Sequence, residues 1–499
     1  MKYTNEDINL ENGIQKEWII TNGIGGFASS TIIGANTRKY HGLLIAPLTP
    51  PARRYLILSK VDESIEIGGK QYNLYTNIGK NYITKGYEYQ TSFEKEEIPT
   101  LKYKISDVEI TKQICMKYGE NTVGILYKIK NGKQPTKLTL APLMNFRDFH
   151  SMSTNHEFKI RQENKGTKLK VIIDNMIQNP IYIKVSEGIY IPHNNDIFRN
   201  MFYIEEQKRG FYPEENHAVV GRYEIEIKPN EEKEISFVCS LEENIDELDV
   251  KKLIIKEKQR ISKILEKTEI DFSEKQDKTE DEEKRQELIK NLVISADTFI
   301  AYRPSFRLHT IIAGYPWFLD WGRDSLISFE GLLLKTKRYD IAKEVLKTMM
   351  RDIKYGLVPN GYSGFDNRPL YNSVDASLLL FEQIQKYLEY TKDQEFIKEI
   401  FEKLEIIIEN YKKGIDIDNN NIYLDTDHLI VSGTENTQNT WMDAKVDGVA
   451  VTPRNGKAVE INSMWYNSLK IMENICKELR RKQKSKKICR TSKTNKKFF

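Results

Sequence analysis

From the N-terminus to about residue 240, apolar positions alternate with polar ones or gather in short β-branched runs, as in Leu101–Ile105, Thr122–Ile129, Leu169–Ile173 and Ile181–Val185. A period of two sends side chains to opposite faces of a strand, and the Asn, Gly and Asp residues between the runs supply turns. The pattern predicts a large antiparallel sandwich over 1–242. Residues 243–282 are densely charged and read as a solvated helical linker. Helical periodicity then takes over: Leu288, Leu292, Ala296, Phe299 and Ile300 fall on one face, and further helices are predicted near 325–336, 339–356, 373–391, 394–413 and 459–480. The loops between these helices concentrate aromatic, Asp and Gly residues. Helices in series with rich loops at one end suggest an α/α barrel, which periodicity alone does not separate from a solenoid.

The densest loop runs from Ala313 to Leu334 and contains Tyr315, Trp317, Phe318 and Trp321 beside Asp320, Arg323 and Asp324. Gly314, Pro316 and Gly322 are expected to keep it irregular until Ser325 caps a helix. Flat apolar faces mixed with short carboxylates and a forked cation suit a sugar ring, which has apolar faces and a rim of hydroxyls. An inter-helix loop with a structural Arg–Asp pair would use the same residue types. A second cluster of this kind tips the balance: Thr440-Trp441-Met442-Asp443-Ala444-Lys445, followed by Pro453-Arg454 through Asn462. A third loop holds Pro359-Asn360-Gly361 and Tyr371-Asn372-Ser373-Val374-Asp375. A carboxyl packed against an indole is partly desolvated and can keep its proton near neutrality. Glycoside hydrolysis needs such a donor and a second carboxylate.

Charge sharpens the picture. The net +4 conceals a basic end, 477–499, with eleven Lys or Arg against one acidic residue; the remainder has 65 basic and 71 acidic residues, which argues against a general nucleic-acid surface. Met1 is followed by polar residues without an apolar h-region, no run is long and apolar enough for a bilayer, and the four cysteines are widely spaced. A reduced, cytoplasmic protein is expected, with no cofactor, metal, nucleic acid or membrane partner. His41 and the Asn145–His150 cluster are read as structural, and the glycines of Asn22–Gly26 as turn residues, since no Gly-Lys-Ser/Thr follows them.

Gly314-Tyr315-Pro316-Trp317-Phe318-x-Asp320-Trp321-Gly322-Arg323-Asp324 and Thr440–Lys445 resemble two signatures of glycogen debranching enzymes of the bacterial and archaeal amylo-α-1,6-glucosidase type. Pro453–Asn462, Tyr371–Ala376, Thr21–Gly26 and Arg38–Leu44 are similar to further segments of that family. The resemblance implies an N-terminal antiparallel β-supersandwich followed by an (α/α)6 barrel, acting with inversion on α-1,6-linked glucose of branched α-glucan (glycogen or limit dextrin). It makes Asp443 the general acid and Arg323 with Asp324 the grip on the terminal glucose, Asp324 as the acid being the alternative. Trp317, Trp321 and Trp441 would be stacking walls, and Asp320, Asp375, Lys445 and Glu460 further substrate-binding residues. Residues 283–476 then supply an incomplete barrel without the family's catalytic base, and 477–499 reads as an out-of-frame tail of a truncated product. Such a half-barrel is expected to expose the apolar stripes of 373–391 and 459–480. A non-catalytic glucan-binding remnant and a glucoamylase- or trehalase-like hydrolase are the competing readings.

Overall fold

The computed structural model describes residues 1–4, 6–154, 157–173, 179–268, 279–364, 366–417, 420–481 and 483. The chain divides into two units, Met1–Glu266 with Glu280–Ile294, and the residues from Ser295 onward.

Two antiparallel sheets build the first unit. The nine-stranded sheet has Val108–Met116, Thr122–Lys130 and Glu232–Ser240 side by side at its centre. The eight-stranded sheet is organised on two long strands, Ala52–Ile67 and Thr136–Asp148, running from Thr136 opposite Ile67 to Asp148 opposite Tyr55. All four alternating runs fall in strands, and Pro99–Ile105 alternates buried and less buried residues as a period of two requires. Trp18, Leu44 and Leu58 from one sheet meet Phe93, Ile125 and Phe237 from the other in a single core.

The glycine-rich turn is structural. Asn22 Oδ1 accepts from the backbone N–H of Gly26 (2.8 Å) and Ile24 (3.2 Å), and its Nδ2 donates to the Glu120 carbonyl (2.9 Å). Gly25 has φ +94°, and a Cβ there would lie 2.5 Å from Pro51 Cβ, so only glycine fits. His41 is buried, its Nδ1 accepting from the Thr37 amide at 3.1 Å.

Seven helices of at least eight residues lie among the described residues: α1 (Val250–Lys267), α2 (Glu280–Thr298), α3 (Gly322–Phe329), α4 (Tyr339–Arg351), α5 (Ala376–Thr391), α6 (Gln394–Lys413) and α7 (Val459–Glu478). The expected solvated linker needs correcting at α1. Val250, Leu253 and Ile254 are buried with Cys115, Leu126, Tyr182 and Val238, so this helix is part of the first unit's core. Its charged residues form the other face of an amphipathic helix.

In the second unit α5 is central and touches α3, α4, α6 and α7. Its first six residues, Ala376–Phe381, are all buried, as expected where a helix is surrounded by others. Three expectations change here. The helix after Trp321 starts at Gly322, without a side-chain cap, and Ser325 Oγ donates to the Ile311 carbonyl instead (3.2 Å). A π-helical turn, Glu330–Leu334, continues it. Leu288 and Leu292, on the part of α2 that belongs to the first unit, are each 59% exposed, whereas Val293, Ile294 and Ala296 are buried. The stripes of α5 and α7 do not meet water: Leu378, Leu380, Phe381 and Ile384 are buried in one core with Trp465, Leu469, Met472 and Cys476. Helix α6 is capped by Asp393, whose Oδ1 accepts from the Phe396 amide at 3.0 Å. Of the basic stretch 477–499, residues 482 and 484–499 lie outside the described residues.

Candidate active site

Three loops of the second unit converge on one guanidinium. Gly322 opens α3 and allows the 359–361 loop to approach: its amide donates to the Asn360 carbonyl at 2.8 Å, and a Cβ at this position would stand 2.7 Å from the Pro359 carbonyl oxygen. Asn360 Oδ1 also accepts from the Arg323 amide (3.3 Å), fixing the first turn of α3. From that turn Arg323 reaches in three directions. Its Nε donates to Asp375 Oδ2 (2.6 Å), its Nη1 to Asp443 Oδ2 (2.9 Å) and its Nη2 to the Thr440 carbonyl (2.9 Å).

The two carboxylates on this fork differ. Asp375 is buried, at the start of α5, and its other oxygen accepts from Ser373 Oγ at 2.5 Å. Both of its oxygens are therefore engaged. Asp443 keeps 43% of its side chain exposed, and Trp441 is 55% exposed. Asp443 is therefore open to solvent rather than packed beneath the adjacent indole, and its Oδ2 accepts from Arg323. Asp324, next to Arg323, is exposed and has no ion-pair or side-chain hydrogen-bond partner among the described residues. The protein packed around its carboxyl raises its pKa above the ordinary aspartate range; the charges of Asp443 and Asp375 act in the same direction and Arg323 against them.

Asp320 is corrected from sugar ligand to structural anchor. It is buried and accepts from Arg303 Nη2 on both oxygens (2.7 and 2.8 Å), with Thr310 Oγ1 at 3.0 Å from Oδ2. Glu460, in the first turn of α7, pairs with Arg454 and has no bond to the Arg323 fork. Lys445 is exposed at the start of a small hairpin, Lys445–Val446 with Val449–Ala450. Trp317 is 37% exposed, and Trp321 is half-buried, its ring about 3.7 Å from where a Cβ on Gly361 would lie. The structure therefore brings Arg323, Asp324, Asp375 and Asp443 together, with Trp441 two residues from Asp443. It assigns Asp320 and Glu460 to other partners. Asn360 and the Thr440 carbonyl are members that residue-type reasoning passed over: an Asn in a loop is ordinary, and a backbone acceptor leaves no mark in a sequence.

Residues 16–234 match the family model described as glycogen debranching enzyme N terminal, and residues 294–498 match that of amylo-alpha-1,6-glucosidase. The second match runs across most of the basic stretch set apart above. A glycogen debranching enzyme from Saccharomyces cerevisiae is 26% identical over 226 residues, covering 34% of this chain and 15% of the relative. The chain thus aligns with well under a fifth of that curated relative. Among solved structures, a bacterial glucoamylase complexed with acarbose superposes with a TM-score of 0.51 at 12% identity, covering 99% of this chain and 65% of that one. A domain of large antiparallel sheets followed by a helical domain is the fold class that this likeness supports. Within that class, the chain belongs to the glycogen debranching enzyme family. Among the described residues no helix is long and apolar enough to cross a membrane.

Proposed function

We propose that this chain carries the sugar-binding and proton-donating face of an amylo-α-1,6-glucosidase, which releases glucose from the branch points of glycogen or limit dextrin with inversion. The observation that carries the reading is the Arg323 fork: one buried guanidinium holds carboxylates from two separate loops and leaves only one of them open to solvent. In this mechanism Arg323 and Asp324 hold the hydroxyls of the terminal glucose, and Trp441 and Trp317 offer exposed rings for stacking. Asp443, released from Arg323 as the sugar enters, takes a proton from solvent and passes it to the glycosidic oxygen as the C–O bond breaks. Inversion also needs a second carboxylate about 6.5–9.5 Å from the acid to activate water. Asp375 does not suit that role, because both of its oxygens are engaged by Arg323 and Ser373. The base is sought elsewhere in the protein.

One observation favours a second reading, in which Asp324 is the acid. Its carboxyl is solvent-accessible, has no ion-pair partner among the described residues and is shifted toward the protonated form, whereas Asp443 sits on an arginine. Incubating the protein with branched limit dextrin and following the anomeric proton by NMR separates the cases. Initial release of β-glucose supports an inverting glucosidase. Loss of turnover in Asp443→Asn with retention in Asp324→Asn supports Asp443 as the donor, and the opposite pattern supports Asp324. Binding of oligosaccharide without any release of glucose would assign a non-catalytic glucan-binding protein.

A further inference from the structure

We propose that Asn420, which touches none of the site carboxylates, is the positioning residue that joins the loop carrying Asp375 to the loop carrying Asp443. Asn420 is buried (2% exposed). Its Nδ2 donates to the Tyr371 carbonyl, four residues before Asp375. Its backbone carbonyl accepts from the Gly433 amide (2.7 Å) and from Asn439 Nδ2 (3.1 Å). Asn439, itself buried, returns the connection, because its carbonyl accepts from the Val374 amide at 2.8 Å. A closed circuit results: Tyr371 to Asn420, Asn420 to Asn439, Asn439 to Val374, and back along the chain to Tyr371. The residues following it on its two sides, Asp375 and Thr440, both bind Arg323. The spacing between the fixed carboxylate and the solvent-open one is therefore set by this circuit.

The circuit explains the residue types. Only a side chain with an N–H at this length can satisfy the buried Tyr371 carbonyl; Asp and Leu, of similar size, have no donor. Gly433 is at φ +75°, and a Cβ there would stand 2.9 Å from Thr437 Oγ1 and 3.3 Å from Asn439 Oδ1, so glycine lets the backbone close on the amide. Beyond Gly433 the loop returns to the same base: the Ser432 amide donates to the Gly456 carbonyl (3.0 Å) and the Gly456 amide to the Ser432 carbonyl (2.8 Å).

The functional half of this inference rests on the proposed glucosidase, so its test has two independent readouts on the full chain. Hydrogen exchange followed by mass spectrometry needs no activity. In Asn420→Ala, peptides covering 371–375 and 433–440 should exchange roughly tenfold faster, with peptides of α6 and α7 unchanged. Kinetics on limit dextrin should then show kcat falling by about 10- to 100-fold while the affinity for a glucose-like inhibitor stays within about threefold, since misplacing an acid costs turnover more than binding. Unchanged exchange in both loops, or acceleration across the whole helical unit, would overturn the proposal, as would unchanged kcat with locally loosened loops. If Asn420→Ala does not fold, Asn439→Ala opens the same circuit from its other side and is read by the same outcomes. Local loosening in a protein that never cleaves glucan would retain the link between the loops and remove the glucosidase reading.

Discussion

Each unit contains an arginine that binds carboxylate, and the two are built for different ends. In the sandwich, Arg147 donates to both oxygens of Glu215 (2.5 and 2.8 Å), and its remaining donors go to the carbonyls of Lys39, Asp148 and Phe149. Glu215 also accepts from Tyr203 (2.5 Å) and the Ser153 amide (2.8 Å). Both side chains are buried. Desolvation works against the charge on Glu215, yet Arg147 holds its carboxyl below the usual range, while burial drives neighbouring His217 down to about 4 and keeps it neutral. In the helical unit, Arg323 is held on one side by a single bond to buried Asp375 and faces solvent through Asp443 on the other. A saturated pair can only hold the fold. A pair saturated on one side can exchange its exposed partner for a ligand.

The largest expected effect comes from the open side. Asp443→Asn should lower turnover by about 10²–10⁴-fold, the usual contribution of a general acid, with little change in melting temperature; glucose release and calorimetric melting measure the two. Glu215→Ala should do the reverse, removing about 3–5 kcal/mol of stability by leaving Arg147 charged and buried, as read from denaturant unfolding. If Glu215→Ala instead abolished activity at unchanged stability, the division between the two arginines would fail. Asp320→Asn tests the middle ground: the loss of charge-assisted bonds to Arg303 should cost about 1.5–3 kcal/mol. Melting curves, rather than binding isotherms, should report it.

Asp324 should show a smaller effect of another kind. Asp324→Ala is expected to weaken glucose binding by roughly tenfold, about one hydrogen bond, in calorimetric titration. Its raised pKa also has a sign that can be checked. The folded protein keeps the Asp324 proton to higher pH than the unfolded chain, so the stability from this group is full at acid pH and declines as pH rises through the window between the ordinary aspartate value and the raised one. Asp324→Asn should match wild type below that window and be slightly more stable above it.

What the sequence made legible follows from which physics is local. The alternation in Leu101–Ile105 and the helical stripes of α5, α6 and α7 were readable because one buried face imposes a period. Arg323, Asp375 and Asp443 stood out because they are charged residues in loops crowded with aromatic and polar neighbours, and the structure brings the three side chains together. Asp320 was misplaced because its partner, Arg303, lies on a separate hairpin, and residue type cannot distinguish a carboxylate aimed at a ligand from one aimed at a buried arginine. The linker was misjudged for a related reason: counting charges over 243–282 hid the face on which Val250, Leu253 and Ile254 are apolar. The Asn420 circuit left no pattern, since each of its contacts has a backbone group at one end or both.

The base of the 433–456 loop, closed by Ser432 and Gly456, also bears on how such a protein can diversify. Lys457 Nζ lies 2.6 Å from both Asp425 Oδ2 and Asp427 Oδ2, a clamp just outside the closure. Between the closure and the distal hairpin, whose Asp447-Gly448 turn has φ of +50° and +81°, little of the hairpin's surface is buried. Residues beyond Lys445 can then be lengthened, shortened or exchanged without disturbing the helices, while Thr440 and Asp443 keep their places. Selection, or an engineer, thus has a tip to vary and a root that keeps the contacts to Arg323.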